Sequence, residues 1–322
     1  MHTIFIDGAQ GTTGLRLSDR LFARAELRIT QLPEELRKAP AARRKAMQGA
    51  EITFLCLPDA AARESVELAQ GTGTRIVDAS TAHRTAPGWV YGFPELLPAQ
   101  RERIAGAERV AVPGCHASGF AAIVAPLRRA GLLERDALLS CFSITGYSGG
   151  GKPMINEYST SNEQLTNNGR TAEYDAPRQY ALGQLHKHLR EMCHVCDLEY
   201  APVFAPIVAD FPCGMAVSVP LHLRSLARSV AVDELLELFA AHYLDERAIS
   251  VLTPEDAAPD GFLAANTLDG RDDMQIIIGG NKERALVTAR FDNLGKGASG
   301  AAVQCMNLML GLPEYAMLNV GY

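Results

Sequence analysis

Apolar runs alternate with helix-like stretches along the first 115 residues of the chain. Five runs of aliphatic and β-branched residues predict strands: TIFI (3–6), LRIT (27–30), ITFLCL (52–57), RIVDA (75–79) and RVAV (109–112). The segments between them have apolar spacing or alanine content that favours helices: TGLRLSDRLFAR, PEELRKAPAARRKAMQ and DAAARESVELAQ. Because strands that alternate with helices need crossover connections, the pattern predicts a Rossmann-type, doubly wound parallel sheet.

The pattern changes after residue 115. HASGFAAIVAPLRRAG predicts a helix, and five longer apolar runs follow, several separated by short turns: LLSCFSITGYS, PVFAPIVA, GMAVSVPLHL, MQIIIGG and RALVTARFD. Successive strands of this kind favour a mixed or antiparallel sheet. VDELLELFAAHYLDE (232–246) predicts an amphipathic helix and KGASGAAVQCMNLML (296–310) a final one. The polar stretch 159–175 predicts a long mobile loop.

These elements predict an α/β protein with two domains. Residues 1–114 form a dinucleotide-binding domain, which a C-terminal helix within 297–322 completes. Residues 115–296 form an inserted α+β domain with a mixed sheet. A length of 322 residues suits this plan.

Composition narrows the function classes. A hydrophobic content of 47% and a charged content of 21% are typical of a globular protein. A net charge of −6 argues against a general nucleic-acid binder. The amino terminus runs from a short apolar stretch straight into a glycine-rich turn, so we expect a cytoplasmic protein without a membrane anchor.

The seven scattered cysteines are expected to be reduced thiols. Cys193 and Cys196 form a CxxC pair near three histidines, which raises the possibility of zinc. No second ligand pair at structural spacing follows, and EMCHVC suits a helix end, so no metal site is predicted.

The stretch DGAQGTTG follows the first strand and opens the first helix. Its glycines, Gly8, Gly11 and Gly14, permit a tight turn, close approach of a pyrophosphate to backbone N–H groups, and close packing of helix on strand. The spacing is a variant of GxGxxG, and a glycine-rich turn without a nucleotide remains an alternative.

The end of the second strand bears on which dinucleotide is bound. An NAD site usually has an acidic residue about 20 residues after the glycines. Here Thr30 and Gln31 stand at that point, and the basic residues Arg37 and Lys38 follow. This pattern favours the 2′-phosphate of NADP, although the neighbouring glutamates 34 and 35 leave NAD open.

VPGCHASGF places Cys115 where a helix begins. Unpaired N–H groups and the positive end of the helix dipole lower the pKa of a thiol there and stabilise an oxyanion. Cys115 is therefore a candidate nucleophile, with a buried filler cysteine as the alternative. His186 and His188 lie two positions apart, so they diverge on a helix and share a face on a strand; we expect only one of them to reach Cys115.

Two other segments offer groups for anions. The glycine-rich loop GYSGGGK ends in Lys152 and could hold a phosphate or carboxylate, or could be a flexible turn. VDASTAHR ends a first-domain strand, where ligands of open parallel sheets bind. Its Arg84 suits a bidentate contact with an anion, or is a surface charge.

Seven motifs, in chain order, resemble those of the N-acetyl-γ-glutamyl-phosphate reductases of arginine biosynthesis, in their shorter form: GAQGTTG, VDASTAHR, VYGFPEL, VPGCHASGF, TGYSGGGK, HKHLREM and FDNLGKGASGAAVQCMN. That family is related in fold to aspartate-semialdehyde dehydrogenase. The resemblance runs from Gly8 to Asn307. Arg190 stands where the longer form often has proline, and Gly149-Gly150-Gly151 where it has Gly-Ala-Gly, which fits the shorter form.

The resemblance implies reduction of an acyl phosphate to an aldehyde with NADP(H), with release of inorganic phosphate and a thioester on Cys115. It implies that His186 is the acid/base residue and that Asn293 lies beside the nicotinamide. We expect cofactor contacts from Gly8, Gly11, Thr12, Thr13, Gly14 and Ser80. The resemblance places the anionic substrate at Arg84 and at the loop with Ser148, Gly149 and Lys152, and we expect His188 to contact it too. The resemblance also implies that residues 115–296 carry catalysis and the subunit contacts of a homodimer or homotetramer.

Three alternatives stay open. The chain could act on aspartyl phosphate or a lysine-pathway analogue, with the same fold and cysteine. It could bind NADP without catalysis, as a redox sensor does, in which case a Cys115 mutation would leave its role intact. It could be a cysteine acyltransferase or hydrolase, for which the glycine-rich turn would have no use.

Overall fold

The computed structural model describes residues 1–165 and 172–321, apart from the side chains at 12, 13, 161–165 and 172. The chain divides into two compact units. Unit 1 contains residues 1–114 and 298–318, and unit 2 contains residues 115–297 and the residues from Asn319. The final residues and Gly297 thus group with unit 2, whereas the sequence plan assigned 297–322 to the first domain.

Unit 1 contains a six-stranded sheet in the order β2-β1-β3-β4-β6-β5, with every pairing parallel. Its strands are β1 (His2–Asp7), β2 (Leu27–Thr30), β3 (Ile52–Leu55), β4 (Arg75–Asp78), β5 (Val90–Tyr91) and β6 (Arg109–Ala111). Its first helices are α1 (Thr12–Phe22), α2 (Pro40–Gln48), α3 (Asp59–Leu68) and α4 (Gln100–Gly106). The predicted Rossmann-type fold is confirmed.

Unit 2 contains a seven-stranded sheet in the order β11-β12-β13-β10-β7-β9-β8. Its strands are β7 (Ser140–Gly146), β8 (Arg178–Gln179), β9 (Val203–Ala209), β10 (Met215–His222), β11 (Ile249–Leu252), β12 (Met274–Gly280) and β13 (Arg284–Phe291). Its helices are α5 (Cys115–Arg129), α6 (Gly151–Leu165), α7 (His188–Val195), α8 (Val232–His242) and α9 (Pro254–Ala257). The β7–β9 and β11–β12 pairs are parallel and the others antiparallel, so the predicted mixed sheet is confirmed.

The last helix, α10 (Gly300–Leu310), follows a π-helical turn over Gly295–Ser299 and belongs to unit 1. It packs with α1 and α4 on one face of the parallel sheet, against Ile4 and Ile6 of β1. Between these two residues Phe5 points to the other face, where it packs with residues of α2 and α3. This alternation along β1 buries both faces of the sheet under helices.

One face of the unit 2 sheet is covered by α5, which packs on β10 and β13. Residues 116–127 of α5 are all buried. Gly119 permits this approach, because a Cβ there would lie 2.6 Å from the Val217 Cγ2 on β10. The opposite face of the sheet exposes apolar side chains of β7 and β13, including Phe142, Ile144 and Leu286.

Several predicted boundaries differ from the observed ones. The helix predicted over 33–48 begins only at Pro40, because proline is accepted in a first helical turn but interrupts a helix that precedes it. Residues 159–165 of the predicted loop belong to α6, while 166–171 lie outside the described residues. Strands β5, β8 and β11 were not predicted, since runs of two to four residues show little periodicity.

None of the helices in the described ranges combines the length and the apolar character that crossing a membrane requires.

Candidate active site

Cys115 is the first residue of α5, so its side chain lies at the helix end where backbone N–H groups have no helical acceptor. It is partly buried. The backbone of Gly297 lies close to it, since a Cβ on Gly297 would be 3.0 Å from the Cys115 Cβ. The local sequence thus places the sulfur at the positive end of a buried helix dipole.

His116, the next residue, is buried and held from two sides. Its Nδ1 is hydrogen-bonded to Ser143 Oγ of β7 at 2.7 Å, and its Nε2 to the Tyr180 hydroxyl at 2.8 Å. Burial, with smaller effects of the neighbouring His186 and Lys187, lowers the pKa of His116 to about 3. His116 is therefore neutral at physiological pH.

Three side chains from two helices converge here. The Cys115 sulfur, one ring nitrogen of His116 and one ring nitrogen of His188 all lie within 4.8 Å of one another. The His116 and His188 ring centroids are 5.5 Å apart. His188 is the first residue of α7, which packs on α5, so the helix pair brings its ring to the cysteine.

His186 lies in the same cluster, with its ring 4.7 Å from that of His188 and 5.2 Å from that of Phe204. Its Nδ1 accepts a hydrogen bond from the backbone N–H of His188 at 3.2 Å. Burial lowers the pKa of His186 to about 4, with a smaller effect from Lys187. His186 is therefore also neutral at pH 7.

The segment before the two histidines is fastened to the sheet by Gln184, which the sequence analysis did not single out. Its side-chain amide donates to the Phe204 carbonyl and accepts from the Phe204 N–H, both at 2.8 Å. The Gln184 side chain thus makes the two backbone hydrogen bonds that a neighbouring strand would make at Phe204 of β9. Tyr180, Ser143 and Phe204 were also missed, because nothing in their local sequence shows that they meet His116.

Ser148 and Asn293, predicted as substrate and cofactor contacts, are hydrogen-bonded to each other. Asn293 Nδ2 donates to Ser148 Oγ at 3.0 Å, and Asn293 Oδ1 accepts from the Gly214 N–H at 2.8 Å. Both side chains are buried. Gly149 is exposed, and a Cβ on it would lie 3.4 Å from Asn293 Nδ2. Lys152 is also exposed, in the first turn of α6.

The glycine-rich turn of unit 1 connects β1 to α1. In the sheet, β2 lies on one side of β1 and β3 on the other, so the turn lies where the direction of strand addition changes, and ligands of such sheets bind at that point. Gly8 has φ +89°, and a Cβ there would lie 2.4 Å from the Cys56 carbonyl oxygen. A Cβ on Gly14 would lie 2.5 Å from the Gly8 oxygen. Packing of the protein itself therefore requires both glycines.

Gly11 differs from these two. Its nearest neighbours would lie 3.6 Å from an added Cβ, which is ordinary contact. It is the N-cap of α1, and as a glycine it has no side chain of its own to cap that helix end. Backbone N–H groups there can bind a pyrophosphate, so the turn fits a dinucleotide. Thr12 and Thr13 begin α1, and their side chains lie outside the described residues.

Near the end of β2, Gln31 donates to Ser18 of α1 at 2.9 Å. Arg37 forms an exposed ion pair with Glu34 at 2.6 Å. The basic group that the sequence offered for a 2′-phosphate therefore has an acidic neighbour, and Lys38 is the next cation along the chain.

The VDASTAHR segment begins with the last two residues of β4 and continues beyond the strand. Asp78 accepts from the Ser80 hydroxyl at 2.8 Å and pairs with His83 Nδ1 at 2.6 Å. Arg84 donates from Nε to the Val112 carbonyl at 2.9 Å and from Nη2 to the Ala79 carbonyl at 3.2 Å. Arg84 thus connects the chain just beyond β4 and β6, a structural role that the sequence did not indicate.

Comparison with known protein families matches both units. Residues 115–293 match the semialdehyde dehydrogenase dimerisation domain, and residues 23–106 match the semialdehyde dehydrogenase NAD binding domain.

Curated relatives match along nearly the whole chain. N-acetyl-gamma-glutamyl-phosphate reductase 2 of Nostoc sp. is 44% identical over 97% of this chain and 97% of its own. The N-acetyl-gamma-glutamyl-phosphate reductase of Burkholderia lata is 41% identical over 98% of both chains.

Solved structures of aspartate semialdehyde dehydrogenases share the fold. The Vibrio cholerae enzyme II, in complex with ASA, has a TM-score of 0.72 at 14% identity, over 97% of this chain and 98% of its own. The Candida albicans enzyme, solved with NADP, has a TM-score of 0.62 at 14% identity, over 97% and 99%.

Proposed function

Since the chain belongs to the N-acetyl-γ-glutamyl-phosphate reductases of the semialdehyde dehydrogenase family, we propose that it reduces N-acetyl-γ-glutamyl phosphate to N-acetylglutamate semialdehyde with NADPH, in arginine biosynthesis. The observation that carries this proposal is Cys115 at the start of α5, with a ring nitrogen of His188 within 4.8 Å of its sulfur. A helix N-terminus and a nearby proton partner are what activate a cysteine for acyl transfer.

Cys115 is the proposed nucleophile. Its thiolate attacks the γ-acyl carbon, a C–S bond forms, and the bond from that carbon to the phosphate oxygen breaks, so inorganic phosphate leaves. The N–H groups at the start of α5 stabilise the oxyanion of the tetrahedral intermediate. The product on the enzyme is a thioester, which accepts hydride better than the ester that serine would form.

NADPH, when bound, supplies the hydride for the second half of the reaction. The glycine N-cap at Gly11 and the backbone N–H groups at the start of α1 support binding of its pyrophosphate in unit 1, with Gly8 and Gly14 shaping the turn. Ser80 follows β4, at the carboxyl ends of the parallel strands, where such ligands bind.

His186 is the residue that the family resemblance implies for proton transfer. Because its Nδ1 accepts from the His188 N–H, its neutral ring carries the proton on Nε2. It can therefore donate a hydrogen bond to the oxygen that becomes negative after hydride transfer; when the C=O bond re-forms from this alkoxide, the C–S bond breaks and releases the aldehyde and the thiolate.

The loop from Ser148 to Lys152 is the proposed binding site for the substrate anion in unit 2. Lys152 is exposed in the first turn of α6, where helix N–H groups also favour negative charge. The bond between Ser148 and Asn293 holds the loop in place. Arg84 in unit 1 remains a proposed substrate contact, although two of its nitrogens donate to the backbone.

We infer that the chain forms a homodimer or homotetramer through the uncovered face of the unit 2 sheet. Phe142 and Leu286 are about half exposed, and the strand register places Phe142, Ile144, Val203 and Leu286 on the same face. An apolar sheet face of this kind supports pairing with a second copy. Light scattering that gives the mass of a single chain at micromolar concentration would contradict this.

The free cysteines suit a reducing compartment and support a cytoplasmic location.

The test is phosphate-dependent reduction of NADP in the reverse direction, with N-acetylglutamate semialdehyde and aspartate semialdehyde offered in parallel. We expect activity with the acetylated substrate and its loss in Cys115→Ser. Cys193→Ser, which changes a partly exposed cysteine on α7, is the matched control and should stay active. Preference for aspartate semialdehyde would contradict the substrate, and an active Cys115→Ser would contradict the thioester.

A further inference from the structure

The rings of His116 and His188 lie beside Cys115 in unit 2, His186 contacts both of these rings, and the hydrogen bonds of the three histidines differ. We propose that His188 is the base that takes the proton of the Cys115 thiol, whereas His186 acts as the hydrogen-bond donor of the reaction. The inference deepens the proposed function and rests on it. It divides acid and base between two residues of the HKH sequence.

His116 is excluded as the base by its own bonds. A neutral imidazole has one N–H and one lone pair, and His116 uses its two nitrogens with Ser143 and Tyr180, at 2.7 and 2.8 Å. To take a proton it would have to give up one of these bonds while buried. Its role is to fill the space beside Cys115 and hold Tyr180.

His186 is excluded as the base by its tautomer. Its Nδ1 lone pair accepts the His188 N–H, which leaves Nε2 protonated in the neutral ring. A proton on Nδ1 would point at that N–H, so the bond opposes protonation. The ring therefore presents a donor, which suits a developing oxyanion and does not suit a thiol proton.

His188 remains, and it is well placed. One of its ring nitrogens lies within 4.8 Å of the Cys115 sulfur, and the side chain is buried. The titratable groups shown to face it are Cys115 and His116 on α5 and His186 on the preceding segment. Bonds between catalytic groups are often long before substrate binds and shorten in the complex, or pass through one water.

The proposed step balances within the pair. The S–H bond of Cys115 breaks, its proton moves to a ring nitrogen of His188, and the sulfur keeps the electron pair that attacks the acyl carbon. When the C–S bond breaks at the end of the cycle, that electron pair returns to sulfur, where the proton on His188 can meet it. The imidazolium stabilises the thiolate in the interval.

The test measures how fast iodoacetamide alkylates Cys115 as a function of pH, with the modified residue quantified by mass spectrometry. The variants are His188→Asn and His186→Asn. His194→Asn, an exposed histidine on the same helix, is the control. In His188→Asn we expect the alkylation midpoint to rise by about one pH unit or more and the rate at pH 7 to fall about tenfold.

In His186→Asn we expect the alkylation profile of wild type together with a turnover number lower by about 100-fold. A shifted profile in His186→Asn with an unshifted one in His188→Asn would reverse the assignment. Unshifted profiles in both would show that the helix end alone ionises the thiol, and would overturn the proposal.

Thermal unfolding checks that each variant folds, and His188→Gln replaces His188→Asn if the latter does not. Alkylation needs no substrate, so it is independent of the proposed reaction. If wild type fails to oxidise N-acetylglutamate semialdehyde while His188→Asn shifts the profile, the proposed function is wrong and the base assignment stands.

Discussion

The glycine-rich turn of unit 1 and the histidine cluster of unit 2 are built in opposite ways. The turn is one continuous stretch, Gly8 to Gly14, and the cofactor site proposed there depends on backbone N–H groups and on the absence of side chains. The cluster joins Cys115, Ser143, Tyr180 and His188 from four separate segments, and the chemistry proposed for it depends on side chains. A backbone site can be found from local sequence, whereas a side-chain site depends on how distant elements pack.

The turn itself contains two kinds of glycine, and substitution should separate them. Gly8→Ala places a Cβ 2.4 Å from the Cys56 carbonyl at a positive φ, so we expect a loss of about 3 kcal/mol in the free energy of unfolding. Gly11→Ala meets only ordinary contacts, so its stability should stay within about 0.5 kcal/mol of wild type.

Gly11→Ala should instead weaken NADPH binding by about tenfold or more, because its methyl group lies where a pyrophosphate approaches the backbone. Urea unfolding and a fluorescence titration with NADPH measure the two effects. Normal NADPH affinity in a folded Gly11→Ala protein would show that the turn does not bind the cofactor.

In unit 2, burial of neutral His116 should make stability depend on pH. The folded pKa of about 3 lies below the ordinary value of 6.5, so between these values the unfolded state binds more protons. This contribution is fully present above pH 6.5 and is lost as the pH falls toward 3. Between pH 6.5 and pH 4 the free energy of unfolding should fall by roughly a few kcal/mol through this effect.

His116→Gln, which has no titrating ring, should flatten the pH dependence of the free energy of unfolding over this window. Exposed His194→Gln is the control and should keep the wild-type slope. Equal slopes in all three proteins would mean that protonation of His116 does not destabilise the folded protein.

Gln184 offers the smallest and sharpest test of how the cluster is assembled. Gln184→Ala removes two hydrogen bonds to Phe204 and should cost about 1 kcal/mol of stability. Because the same segment carries His186, we expect turnover to fall by about tenfold with an unchanged NADPH affinity. Gln179→Ala, on the adjoining strand β8, is the control. Unchanged turnover would show that the positions of the histidines do not depend on the hydrogen bonds between Gln184 and Phe204.

Local patterns predicted most of the fold, and they failed where a pattern was short or polar. The long apolar runs of β1, β10, β12 and β13 indicate strands by themselves. The alternation of strands and helices in unit 1 likewise indicates a parallel sheet with crossover connections. The two residues of β5 and β8 are strands only because neighbouring strands offer hydrogen-bond partners. The polar second half of α6, residues 159–165, did not indicate a helix, because its sequence shows no apolar stripe.

The sequence alone determined the Rossmann-type sheet, the glycine-rich turn and a cysteine at the start of a helix, because each depends on residues close together in the chain. Its ordered motifs also indicated the reductase family. Tertiary structure alone decided which histidine nitrogens meet the Cys115 sulfur, that His116 is neutral between Ser143 and Tyr180, and that Ser148 binds Asn293. The physical reason is that helix pairing and strand register bring together side chains whose local sequence contains no signal of the contact.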